Sequence, residues 1–205
     1  DVAPSRGLGD VYKRQVYEEY DEENPDHPLN GSIPANYNQR GREWEKECYV
    51  EYFDSEGNSL ISQDCGIRIQ GNYSRSDLQK GFRLYARKKY GEKKFKYEVF
   101  EGLKNASDET IDSFKTLTLR AGGNCAFTAK FNDTYWQSLM TELDGSTKAS
   151  RPCVVYLNGE YWGLYVLEED YSDNYFESHY GVNKDDVVVY KGDAETYQSG
   201  YKLDE

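Results

Sequence analysis

Lys80 closes a polar turn, Gly71-Asn72-Tyr73-Ser74-Arg75-Ser76-Asp77-Leu78-Gln79, and opens an alternating stretch, Gly81-Phe82-Arg83-Leu84-Tyr85-Ala86-Arg87. Glycine, asparagine and serine leave backbone N–H groups exposed in such a turn, while Arg75, Lys80, Arg83 and Arg87 bring positive charge and forked donors. Those are groups that hold phosphate. The same pattern also fits a solvated basic edge strand, because lysine keeps strand edges from pairing with other chains. A local concentration of cations needs a reason here, since 25 Lys and Arg stand against 37 Asp and Glu, for a formal net charge of −12. Overall charge of that sign repels nucleic acid and anionic membrane surfaces and argues against both as partners.

Other chemistry is thinner. Glu168, Glu169 and Asp170 directly follow an apolar strand, where carboxylates either act or merely solvate the strand end. Asn132 and Asp133 read as ordinary helix polarity. The chain has neither the GxSxG of a serine nucleophile nor the GxxxxGK[ST] of a phosphate-binding loop. Cys48, Cys65, Cys125 and Cys153 have no CxxC spacing and only His27 and His179 accompany them, which disfavours a zinc site and a Cys–His pair. A turn centred between Glu56 and Gly57 sets Cys48 opposite Cys65, as a disulfide if the protein is secreted or as two buried thiols. With no run of eighteen apolar residues, no membrane span is expected. Twenty Tyr and 18 Gly against one Met suit an extracytoplasmic protein, although the N-terminus has no signal-peptide core.

The elements that must position these groups are mostly strands. Residues 1–15 read as a cloning or sequence-assembly remnant, and 16–43 as an irregular arm punctuated by Pro25, Pro28 and Pro34. Tyr49–Phe53 and a strand reaching Gln70 form a hairpin around Asp54–Asn58. A strand at 80–87 follows, then short strands around Phe95–Val99 and Phe114–Arg120. Phe131, Tyr135, Leu139 and Leu143 recur every fourth residue, predicting the main helix over Phe127–Leu143. Asn158-Gly159 between Pro152–Leu157 and Tyr161–Leu167 is a strong hairpin signal, because both central residues of a type I′ turn need positive φ. A helix from about Ser172 to Tyr180 and a strand Val187–Tyr190 complete the ordered part, leaving 192–205 without a clear element. The fold class is α+β, mostly antiparallel strands with one main helix.

Taken in order, six segments resemble the spore coat protein H (CotH) family. They are Arg40–Glu45, Val50–Phe53, Gly66–Gly71, Ser74-Arg75 with Lys80–Leu84, Leu119–Asn124 and Val155–Tyr165, so the likeness runs from about residue 36 to 191. The resemblance implies an atypical, secreted or spore-associated kinase with a remote protein-kinase-like fold, in which residues 44–191 are the N-terminal lobe. Such proteins use ATP and a divalent metal, Mg or Mn, to phosphorylate Ser or Thr on partner proteins of a spore coat or extracellular assembly. Carried onto this chain, Lys80 contacts the ATP phosphates, Ser74 and Arg75 lie close to the nucleotide, and strand 161–167 leads to Glu168, where adenine lies. The 127–143 helix takes the place of the kinase regulatory helix, with Asp133 or Glu142 as candidate partner of Lys80. Gly81 stands where the family usually has Ser.

In the family the catalytic and metal-binding aspartates lie further downstream, and nothing in 192–205 supplies them. Phosphoryl transfer depends on positioning and on metal neutralising phosphate charge. The expectation is therefore an N-terminal portion, with no catalytic or metal-binding residue of its own and inactive alone. The alternative is a non-catalytic extracellular module whose aromatic-rich strands bind carbohydrate or protein.

Overall fold

The computed structural model describes residues 36–189 apart from Asp144. The expectations for residues 1–35 and 190–205 lie outside the described residues.

Alternating side chains and turn residues build one six-stranded antiparallel sheet. Its strands are β1 (Lys46–Phe53), β2 (Ser59–Gln70), β3 (Gly81–Tyr85), β6 (Thr116–Arg120), β7 (Ser150–Leu157) and β8 (Glu160–Glu168). They lie in the order β1-β2-β3-β6-β8-β7, while β4 (Phe95–Lys96) and β5 (Ser113–Phe114) make a small separate ladder. The β1–β2 turn closes because the Asp54 carboxylate accepts the amides of Glu56 and Asn58, at 2.9 and 2.8 Å. The β7–β8 turn has Asn158 at φ 53° and Gly159 at φ 79°, the pair of positive values its hairpin requires.

One face of the sheet is apolar. Ile67, Phe82, Leu84, Leu117, Tyr165 and Leu167 form the core there with Phe95, Val99, Phe100, Ile111 and Phe114 from the segment between β3 and β6. The other face carries the alternate residues of the same strands: Arg68, Arg83, Thr118 and Arg120 make it polar on β2, β3 and β6, while on β8 Leu164 and the buried Val166 precede Glu168.

Among the described residues the architecture is α+β, as the alternation predicts, with two α-helices of equal length rather than one main helix. The first, α1 (Asn132–Leu139), covers only the middle of the expected 127–143. Gly122 and Gly123 at φ 108° and 55° lead into a tight turn instead of a helix start, and no side chain caps α1. Its four-residue stripe faces outward: Phe131, Tyr135, Leu139 and Leu143 are all exposed. The period marks an apolar stripe correctly but does not say what the stripe meets. The second helix, α2 (Asp173–Tyr180), has Ser172 as its N-cap and Gly181 at φ 68° as its stop. The 114–120 strand breaks at Lys115 into β5 and β6, which join different sheets, and Val187–Val189 form no strand. The strand expected over 80–87 is β3, beginning one residue after Lys80.

Candidate functional site

The 71–80 loop is held from inside by its own cations. A Cβ at Gly71 (φ 130°) would collide with Ser74 Oγ, so the loop turns back on itself tightly. Arg75, 8% exposed, donates through Nε to the Gly71 carbonyl at 2.7 Å and through Nη1 to the Gln39 carbonyl at 3.0 Å. Lys80, 1% exposed, donates to the Asp77 carbonyl at 2.6 Å, and its ammonium lies 4.2 Å from the centre of the Tyr37 ring. The Tyr165 hydroxyl caps the Lys80 carbonyl at 2.7 Å. Burial pushes the Lys80 pKa down to about 7, with the Asp77 carboxylate opposing the shift. Burial likewise raises Asp77, against the pull of Lys80.

The loop meets the polar face of the sheet. Burial first, and then the charges of Arg40, Arg68 and Arg83, push the Arg75 pKa down to about 10, with Tyr85 opposing them. Arg40 is tied to the loop by its hydrogen bond to Asn72 Oδ1, at 2.8 Å. Four guanidinium groups therefore share one neighbourhood.

A row of polar side chains crosses the sheet beside them. Arg68 of β2 stands opposite Arg83 of β3, Arg83 opposite Thr118 of β6, and Thr118 opposite Glu168 of β8. Arg68, Thr118 and Glu168 are 6%, 1% and 3% exposed. Arg68 stacks on the Tyr85 ring at 4.2 Å and bonds its hydroxyl. Arg83 pairs with Asp170 at 2.8 Å, and Lys148 with Glu168 at 2.7 Å. Arg120 lies 3.0 Å from Asp133 on α1 and 3.9 Å from Glu168. Glu45 closes one end of the row, with Arg87 at 3.0 Å, Lys89 at 3.2 Å and Arg68 at 3.9 Å. Burial pushes its carboxyl up, but bonding from Lys89 and Tyr90 and the Arg87 charge leave it below the usual value.

The structure thus brings Arg75 and Lys80 together at Tyr37, sets Ser74 against Gly71 in the same loop, and gives Glu168 to a different set of partners. Glu168 and Glu169 do not solvate a strand end. Both are buried, and Glu169 bonds His179 at 2.8 Å and the Ala149 amide at 2.9 Å. Asp133 pairs with Arg120, a residue the sequence reading passed over along with Arg68, Thr118, Lys148 and Glu45. The available signal was a polar residue between apolar ones, as in Ile67-Arg68-Ile69 and Leu117-Thr118-Leu119. That pattern gives the face of each strand, whereas the row needs the sheet order.

Cys48 and Cys65 are register partners, as the turn centre predicts, and their sulfurs are 3.4 Å apart as free thiols. Hydrogen bonding from Cys65 lowers the Cys48 pKa, while that bond and burial raise Cys65. Among the described residues, no group of three His, Cys, Asp or Glu side chains could hold a metal ion. No described helix is long and apolar enough to cross a membrane.

No curated protein matches the chain. The family model described as CotH kinase protein matches residues 67–205, from the middle of β2 through the loop, the polar row and both helices. The match begins after Arg40–Glu45 and Val50–Phe53, so those two resembling segments fall outside it. Because the match covers well over half of the sequence, the chain belongs to the CotH kinase protein family.

Proposed function

We propose that this chain carries the ATP-binding lobe of a CotH-type Ser/Thr protein kinase that acts on secreted or surface proteins, such as those of a spore coat. The supporting observation is a cation-rich loop packed against a polar sheet face in a chain of this family. Lys80 is the proposed phosphate contact: its ammonium, bonded to the Asp77 carbonyl, would exchange that oxygen for a phosphate oxygen. Ser74 and Arg75 would set the turn, and the β8 end at Glu168 would lie toward the adenine. Mg or Mn bound with the nucleotide would neutralise phosphate charge.

Calorimetric titration with ATP and Mg tests this, with binding to the wild type and at least tenfold weakening in Lys80→Met as the expected result. Equal affinity for the two proteins refutes the role of Lys80. The second reading is a carbohydrate- or protein-binding module, favoured by the exposed Tyr156 and Tyr161, whose rings meet edge to face at 5.6 Å. Binding of an oligosaccharide that Tyr156→Ala and Tyr161→Ala abolish, with no ATP binding, would select it.

A further inference from the structure

Two buried polar atoms in the sheet row have no hydrogen-bond partner among the described residues: Nε of Arg68 and Oγ1 of Thr118. They sit on the two strands that flank β3, one on either side of Arg83. Buried donors are rarely left unmatched, because each costs the water it gave up. Two strand spacings, about 10 Å, separate β2 from β6. That is roughly the span of one phosphate group plus a hydrogen bond on each side.

Charge points the same way. Arg40 and Arg75 join Arg68 and Arg83 where the loop meets the sheet. The carboxylates on this face include Asp170, paired with Arg83, Glu168, paired with Lys148, Asp133, paired with Arg120, and Glu45, shared among Arg68, Arg87 and Lys89. Glu45 and Asp170 leave the four arginines in excess, so this corner of an acidic protein is positive.

We propose that Arg68, Arg83 and Thr118, with Arg75 above them, bind a phosphate group over the centre of β3. Arg68 Nε and the Thr118 hydroxyl donate from the sides, and the Arg83 guanidinium supplies charge from below. This deepens the ATP reading by giving the phosphates a second point of attachment besides Lys80, and rests on it only for what the phosphate is attached to.

The test is calorimetric titration of the full chain with inorganic tripolyphosphate and, separately, with ATP. Tripolyphosphate is expected to bind the wild type, about tenfold more weakly Arg83→Met and severalfold more weakly Thr118→Val, while Lys96→Met at the exposed β4 matches wild type. Thr118→Val also carries a signature that a structural role would not give. Removing an unmatched hydroxyl should raise the unfolding midpoint of the ligand-free chain while lowering anion affinity. Failure of tripolyphosphate to bind the wild type, or unchanged affinity in both Arg83→Met and Thr118→Val, overturns the site. If tripolyphosphate behaves as expected and ATP binds no more tightly, the phosphate site stands and the nucleotide reading falls.

Discussion

ATP binding at pH 8 should carry close to one proton into the protein, and Lys80 is the reason. Its ammonium is buried against Tyr37 and the Asp77 carbonyl, with a pKa pushed down to about 7 from an ordinary 10.5. At pH 8 about one molecule in ten therefore carries the charge. A phosphate oxygen brought against the nitrogen favours the charged form and returns the pKa toward its ordinary value. The uptake is then about 0.9 proton per ATP at pH 8 and about 0.1 at pH 6. Titrations in two buffers of different ionisation enthalpy measure it directly, and Lys80→Met subtracts the ionisation of ATP itself. The free protein offers a second reading. A lysine whose folded pKa is depressed leaves the unfolded chain holding the extra proton between pH 7 and about 10.5. Stability should thus rise with pH across that window, by at most about 1.4 kcal/mol per unit, and stop responding below pH 7. Identical uptake in wild type and Lys80→Met would refute the phosphate contact. A urea midpoint unresponsive to Lys80→Met between pH 7 and 9 would refute the buried, depressed amine.

Two further outcomes follow from buried pairs. Glu168→Gln removes the charge partner of Lys148, itself 11% exposed, and should cost about 3 kcal/mol in urea unfolding; a loss below 1 kcal/mol would mean the pair is solvated. Exposure of the folded protein to oxidised glutathione should join Cys48 to Cys65, Cys48 attacking first as the more acidic thiol, with reduced glutathione as the product. Non-reducing peptide mapping identifies the bond, and closing this loop should add about 3 kcal/mol of stability. Recovery of both as alkylatable thiols would show that the pair resists oxidation.

The outward stripe of α1 shows how far periodicity carries. Phe131, Tyr135 and Leu139 have the spacing of a buried helix face, yet the helix is eight residues long and none of its residues is buried. Among the described residues, polar contacts hold its inner side: Asp133 pairs with Arg120 of β6, and Gln137 Oε1 accepts from the Lys148 amide just before β7, at 2.8 Å. Amphipathic spacing reports that a face is apolar. The presence of something to cover it is a tertiary fact.

Sequence alone determined the parts whose physics is local. The Asn158-Gly159 hairpin follows from a two-residue turn that needs positive φ, and the Cys48–Cys65 register from the centre of the Asp54–Asn58 turn. The cationic loop ending at Lys80 and the family likeness were equally legible, since both rest on residues close together or in fixed order. Tertiary structure decided what those residues face. It turned Lys80 inward onto Tyr37, gave Glu168 to Lys148, and lined up Arg68, Arg83 and Thr118 from strands separated in sequence. Alternation tells each strand which side chains share a face, but the charge and unmatched donors of a site arise only when strand order sets those faces side by side.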